Sequence, residues 1–272
     1  MKDDTHFGWR EGESWELFDQ ASSATSASIH KGDHRALEAL KSVNHLKELT
    51  IKSNRSLSLE SLMRHKDLET LTLMYCGRLS DLVPLASLER LKTLCLHDLK
   101  GIRSLADLAN LDSIKELLVW GSMSGAIHGK SGWIIESLQP LTKLRKLRIV
   151  SIGAVRLEQD DFDSLAQIVS LEKIQTGPKN FSFDSMARLK ALRPDIKCSS
   201  LRPWDGDPFT DDRVWIHGSD GRCIRVGKSE TSRKKVSATL ADLQKRWDEV
   251  GAKAVAARTQ SNFVGEKQKR RT

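Results

Sequence analysis

Leucines return along this chain in one six-residue arrangement, an apolar residue at positions one, four and six. Leu46-Lys-Glu-Leu49-Thr-Ile51 is followed by Leu68-Glu-Thr-Leu71-Thr-Leu73 and by Leu91-Lys-Thr-Leu94-Cys-Leu96. Ile114-Lys-Glu-Leu117-Leu-Val119 and Leu144-Arg-Lys-Leu147-Arg-Ile149 continue the series. The last three positions alternate apolar and polar in units such as Leu49-Thr-Ile51 and Leu71-Thr-Leu73, the signature of a half-buried β-strand. Between these strands the apolar residues fall at every third position: Leu82, Leu85, Leu88, Leu91; then Leu105, Leu108, Leu111, Ile114; then Ile135, Leu138, Leu141, Leu144. A strict step of three suits a short helical or 3₁₀ segment.

Anchored at Ala24, Leu46, Leu68, Leu91, Ile114, Leu144, Leu171 and Arg193, the units repeat at intervals of 22, 22, 23, 23, 30, 27 and 22 residues. The two long intervals mark insertions. The first and last units lack the leading leucine but keep an inner apolar pair, Ala27/Ile29 and Ile196/Cys198. One such unit cannot bury its own apolar side, so the copies must stack, with parallel strands in one layer and short helical segments in the other.

The run Ser80-Asp-Leu-Val-Pro84-Leu-Ala-Ser-Leu-Glu-Arg-Leu91-Lys-Thr-Leu-Cys-Leu96 closely resembles the 22-residue repeats of internalin-like leucine-rich repeat proteins. Pro84 stands where that subclass commonly has proline. The resemblance covers residues 24 to 198. It implies an α/β leucine-rich repeat solenoid, with a parallel sheet on its concave face and short helical or 3₁₀ segments on its convex face. It is unspecific as to partner. The polar position of the repeat is held by Asn54 and Cys76 but by Leu99 and Ser122 afterwards, so an asparagine ladder is not continuous.

The flanks lack the pattern. Residues 1–23 read as an N-terminal cap, with Trp9, Trp15, Leu17 and Phe18 covering the open end of the first repeat. Residues 24–200 form the repeat domain of about eight units. Residues 201–258 form a hairpin-and-helix module, read either as a C-terminal cap that shields the last repeat or as a separate small interaction domain. A turn-rich linker around Pro203 and Pro208 leads to Arg213-Val-Trp-Ile-His217 and Arg222-Cys-Ile-Arg-Val226, a β-hairpin around Gly218-Ser-Asp-Gly221. Val236, Leu240, Leu243, Trp247, Val250 and Ala254 then mark one stripe of an amphipathic helix. Residues 259–272 are a basic tail.

Charge separates the two parts. From Arg222 onward there are 14 Lys/Arg against 5 Asp/Glu, a surplus of nine that accounts for the chain's net +8; the remaining residues hold 30 against 31. Basic character belongs to the C-terminal fifth and says nothing of the repeats. No apolar leader or membrane-length apolar run is present, and four widely spaced cysteines (Cys76, Cys95, Cys198, Cys223) read as reduced thiols. The expectation is a cytoplasmic protein.

In a parallel repeat stack the residues between the leucines face outward and are free to vary. One outward position reads His30, Lys52, Met74, His97, Trp120, Val150; another reads Ser28, Thr50, Thr72, Cys95, Leu118, Arg148, Gln175. Tyr75, the single tyrosine, follows Met74. The predicted partner-binding set is therefore Lys52, Met74, Tyr75, His97, Leu118, Trp120, Arg148 and Val150. A methionine and aromatic cluster with a charged rim suits a protein or peptide partner. Against this, Trp120 is also expected to pack under the glycine-rich insertion Gly121–Gly132. The other candidate surface is the basic module, where Arg222, Arg225, Lys234 and Lys235, with Trp215 and Trp247, suit nucleic acid or another acidic surface.

Enzymatic chemistry finds little support. Gly129-Lys-Ser131 lacks the full phosphate-loop spacing, Asp205, Asp207, Asp211 and Asp212 do not match a calcium loop, and the histidines show no metal-binding spacing. Glu158-Gln-Asp-Asp-Phe-Asp163 is expected to cap the short helix that follows. The chain is expected to be no enzyme and to need no cofactor or metal.

Overall fold

The computed structural model describes residues 6–14, 23–32, 34–54, 58–122, 132–177, 180–218 and 222–269. Trp15, Leu17, Phe18, His128, Gly129-Lys-Ser131 and Asp220 lie outside the described residues. The chain divides into two compact units: residues 1–159 with 167–175, and residues 160–166 with 176–272.

Among the described residues the first unit contains ten strands: β1 (His6–Arg10), β2 (Ser26–His30), β3 (Glu48–Lys52), β4 (Thr70–Met74), β5 (Thr93–His97), β6 (Glu116–Trp120), β7 (Ile134–Ile135), β8 (Ile149–Gly153), β9 (Arg156–Leu157) and β10 (Lys173–Gln175). Eight of them form one parallel sheet in the order β1-β2-β3-β4-β5-β6-β8-β10, and β7 and β9 pair as a separate two-stranded ribbon. The outer layer is the helix α1 (His34–Ala39) and 3₁₀ turns such as Val83–Ser87, Ala106–Asn110 and Gln139–Lys143. This is the leucine-rich repeat arrangement.

Strand pairing aligns Ala27, Leu49, Leu71, Leu94, Leu117 and Val150 in one inward row, and Ile29, Ile51, Leu73, Leu96, Val119 and Ile152 in the next. All twelve are buried. The step of three works as expected. Leu85, Leu88 and Leu91 donate their amide N–H groups to the carbonyls of Leu82, Leu85 and Leu88 at 2.9–3.0 Å. Each turn therefore points one leucine after another into the space behind the sheet.

Three features depart from the expectation. The sheet begins at His6, inside the segment read as a cap: β1 pairs with β2 in parallel, Trp9 aligned with Ile29 and buried. At the other end the sheet stops at Gln175, so Ile196/Cys198 supplies no further strand, although Ile196 is buried. The third departure is a change of phase. Ile149 pairs with Glu116 and Val150 with Leu117, so the sixth unit is anchored at Leu147 rather than Leu144. Leu138, Leu141, Leu144 and Leu147 are equally spaced, and either of the last two fits the motif. The helical layer needs one more turn there, and the strand shifts by three residues.

Five of the eight sheet strands, β2, β3, β4, β5 and β8, are followed by a residue in the left-handed region: Lys31, Ser53, Tyr75, Asp98 and Ala154 have φ of 50 to 63°. This bend turns the chain out of the sheet. It also aims the N–H of Ser53 at the carbonyl of Met74, of Tyr75 at His97, and of Asp98 at Trp120, at 2.7–2.8 Å. The conformation costs roughly 1 kcal/mol or more at a non-glycine residue. A hydrogen-bonded column offsets it.

His65 sits buried beside the outer layer with its Nε2 unpaired. Burial, with help from the Arg64 charge, holds its pKa below the ordinary value. The unfolded ring takes a proton near pH 6.5, so below that pH the unfolded chain binds more protons and stability falls. His65→Leu is expected to stabilise by about 1 kcal/mol at pH 8, by removing an unmet nitrogen, and by more at pH 5. Thermal unfolding at both values checks this; the same pH dependence in both proteins would contradict it.

The second unit contains α2 (Phe183–Leu192), the strands β11 (Trp204–Asp205), β12 (Arg213–Ile216) and β13 (Cys223–Arg225), and the long helix α3 (Glu230–Lys269). Ser182 caps α2, its Oγ accepting from the Ser185 N–H at 3.0 Å. The expected hairpin is β12-β13. The segment read as linker contributes a third strand, since β11 pairs antiparallel with β12. The apolar stripe of α3 faces inward as expected. Val236 and Leu240 pack with Val214 and Val226, and Trp247 meets the Phe183 ring edge-on at 5.1 Å. Gly251 allows α3 to come close to α2, because a Cβ there would lie 2.8 Å from that of Ala191. The carboxylates near the second insertion hold side chains: Asp163 receives Arg188 at 3.0 Å and Asp160 receives the Ser182 hydroxyl at 2.7 Å.

Candidate functional site

Period-two alternation leaves three outward rows on the open face of the eight-stranded sheet. The row at the strand ends reads Arg10, His30, Lys52, Met74, His97, Trp120 and Gly153, each aligned with the next. The middle row reads Gly8, Ser28, Thr50, Thr72, Cys95, Leu118, Ser151 and Gln175. Lys52, Met74, His97 and Trp120 thus stand on four successive strands, about 4.8 Å apart. Lys52 is exposed, and the other three are half-buried.

Tyr75 follows Met74 at the bend, where its left-handed backbone turns the ring outward; it is 42 % exposed. Its ring meets the His97 imidazole edge-on, centroids 5.0 Å apart at 64°. The His97 Nδ1 is shielded and makes no hydrogen bond. Trp120 leans toward the next strand, its Nε1–H donating to the Ser151 Oγ at 2.8 Å. The indole is therefore fixed in orientation while part of it stays open. Cys95 lies between Thr72 and Leu118, its thiol pushed up by burial.

Two predicted site residues do not belong to this face. Val150 was expected outward beside Trp120. It is instead fully buried, because the phase shift sets it in the inward row with Leu117. Arg148 was expected beside Leu118. It lies before β8, in a column at the strand entrances, where Lys92, Lys115, Arg148 and Glu172 each donate a backbone N–H to the preceding member, Lys92 to Glu69. The same column runs back through Glu69 and Lys47 to Thr25, and in it the Arg148 guanidinium holds Glu172 through two bonds of 2.8 and 2.9 Å. The places assigned to Val150 and Arg148 are taken by Gly153 and Ser151, which the motif reading missed. The signal was present in Val150-Ser-Ile152 followed by Gly-Ala, an apolar pair running into a bend.

Gly121 follows Trp120 and holds its position. A Cβ there would come within 1.8 Å of the Ala154 carbonyl oxygen, in backbone that cannot step aside cheaply. Gly121→Ala is expected to destabilise by about 3 kcal/mol, measured by denaturant unfolding. A variant as stable as the parent would contradict the tight fit of β6 against β8.

A depression of about 830 Å³ is lined by residues including Asn110, Thr142, Lys143 and Arg145. It is polar and open, and it includes no outward-row residue. Among the described residues no group of His, Cys, Asp or Glu has the arrangement of a metal site, and no helix is long and apolar enough to cross a membrane.

In the second unit, Arg222 and Arg225 are exposed at β13, and Lys234 and Lys235 are exposed on α3. Lys234 holds Glu230 at 2.7 Å. Arg225 is brought opposite Arg213, a residue the sequence reading passed over.

Residues 7–99 match the family described as R13L1/DRL21 LRRs. No curated protein matches the chain. Among solved structures the fold is similar to internalin C2 of Listeria monocytogenes, at 20 % identity and a TM-score of 0.44, over 64 % of this chain and 71 % of that one. A second internalin of the same organism aligns at 17 % identity and 0.44, over 67 % and 55 %. A leucine-rich repeat protein of Leptospira interrogans aligns at 14 % and 0.40, over 68 % and 50 %. The chain spans about half the length of the last two. None of these likenesses speaks to a partner.

Proposed function

We propose that the repeat unit is a non-enzymatic recognition scaffold that docks a protein or peptide partner on its open sheet face. The observation that carries this reading is the in-register series Lys52, Met74, His97 and Trp120, with Tyr75 and Leu118 beside it. Met, Tyr and Trp are the residue types enriched where protein interfaces concentrate their affinity. A central aromatic patch flanked by an exposed lysine fits a macromolecular partner.

The mechanism is preorganisation. Strand pairing and the buried leucine rows fix the backbone under every outward residue, and the bond to Ser151 orients the indole. Less ordering remains to be paid for at association, so more of the contact energy appears as affinity. Capture of a partner by the intact chain, compared with Tyr75→Ala/Trp120→Ala, tests the reading. The double variant is expected to lose the partner while its circular dichroism and unfolding remain cooperative. Undiminished capture by the folded double variant would remove the sheet face from consideration.

A further inference from the structure

One face of the three-stranded sheet of the second unit is covered by α3, and the other presents exposed side chains of β12 and β13. Val214, Val226, Val236 and Leu240 form its apolar side with Trp204, Ile224 and Leu243, so α3 covers that face. Alternation sends the intervening residues the other way: Arg213 and Trp215 on β12, Cys223 and Arg225 on β13. All four are exposed, Trp215 by 41 %.

The register sets Arg213 directly opposite Arg225, and Trp215 directly opposite Cys223. Like charges directly opposite across a strand pair destabilise the sheet. Among the described residues neither arginine has a carboxylate partner. Arg188, Arg193, Arg202 and Arg246 of the same unit each hold an aspartate. The nearby carboxylates are engaged elsewhere. Asp205, aligned with Trp215, holds His217 and Arg202, and Asp207 and Asp211 fold back onto their own turn. Asp212, exposed beside Arg213, pairs with neither arginine. The face thus keeps two repelling cations next to a partly exposed indole, and Arg225 lies in the part of the chain that carries the basic surplus.

We infer that this face binds single-stranded nucleic acid, a base stacking on Trp215 while Arg213 and Arg225 hold phosphates beside it. An anionic backbone relieves the repulsion between the arginines, and an unpaired base supplies a π-face for the indole. A duplex hides its base faces, and an acidic peptide lacks them. This surface is separate from the sheet face of the repeat unit, and either reading stands without the other.

The test uses fluorescence anisotropy of labelled oligothymidylate and oligouridylate with the full chain across a salt titration. The parent is expected to bind either oligonucleotide more tightly at low salt, and more tightly than a duplex of the same length. Arg213→Ala/Arg225→Ala is expected to lose about tenfold in affinity and to flatten the log–log salt slope by about 1.4, the value for two phosphates on a single strand. Trp215→Ala is expected to lose roughly tenfold with the slope unchanged. The arginine double variant should melt no lower than the parent, because it removes a repulsion, and so separates lost binding from lost folding. Absence of oligonucleotide binding at low salt would overturn the inference. So would equal binding by parent and double variant with loss only on Lys267→Gln/Lys269→Gln/Arg270→Gln/Arg271→Gln, which would place binding in the tail. Poly-glutamate binding as tight as the oligonucleotides and indifferent to Trp215→Ala would also overturn it, in favour of an acidic protein.

Discussion

Leu94→Ala is expected to lower the unfolding free energy by about 3 kcal/mol, a drop in melting temperature of roughly 6–12 °C. Leu94 is fully buried, between Leu71 and Leu117 of the neighbouring strands in the same inward row. Truncation there removes transfer energy and leaves a cavity bounded by backbone on both sides. The hydrogen-bonded ladder holds that backbone apart, so it cannot collapse inward. Each repeat is stable only against its neighbours, so the damage extends to the contacts of β4 and β6. Val83→Ala, at a site of 60 % exposure in the outer layer, serves as the comparison, with an expected change within about 0.5 kcal/mol. Thermal and denaturant unfolding of the two variants checks the ordering. Similar losses in both would mean that the leucine rows do not form the common interior.

Trp120→Ala is expected to weaken partner binding by about 2 kcal/mol, roughly 30-fold. The indole is the largest side chain of its row, aligned with His97 on one side and Gly153 on the other. Gly153 is itself buried, so the indole is the last partly open side chain of the row. The bond to Ser151 supplies the orientation. Ser151→Ala is expected to weaken binding by less than Trp120→Ala, because the ring remains and only its preferred orientation is lost. Isothermal titration against the captured partner reads both. If the indole only packs, Trp120→Ala lowers stability and leaves affinity as it was.

The fold was largely legible because two periods coexist in each repeat. Leu49/Ile51, Leu71/Leu73 and Leu94/Leu96 alternate, and the three-residue step of Leu82 to Leu91 runs between them. Those two signals specify the layers and therefore the outward rows. Lys52, Met74, His97 and Trp120 could be placed in line without coordinates. What escaped has identifiable causes. The leucines from Leu138 to Leu147 have one spacing throughout, so the motif fits in two phases, and only strand pairing distinguishes Leu147 from Leu144. Val150 and Arg148 were misplaced by that one shift. β1 carries Phe7 and Trp9 where leucines were sought, and it read as a cap. The left-handed bends fall on Lys31, Ser53, Tyr75, Asp98 and Ala154 rather than on glycine, so no residue type marks them. Arg213 was missed because a cross-strand pair exists only once the hairpin register is known.

Affinity for the partner is expected to reside in the outward row and not in the outer layer. Titration of the captured partner against Lys52→Ala, Met74→Ala, His97→Ala and Trp120→Ala, alongside Val83→Ala, Lys143→Ala and Val169→Ala, separates the two. Losses are expected only in the first group, largest at Trp120, with the second group binding as the parent does. Parent-like affinity throughout the first group, with losses in the second, would contradict it.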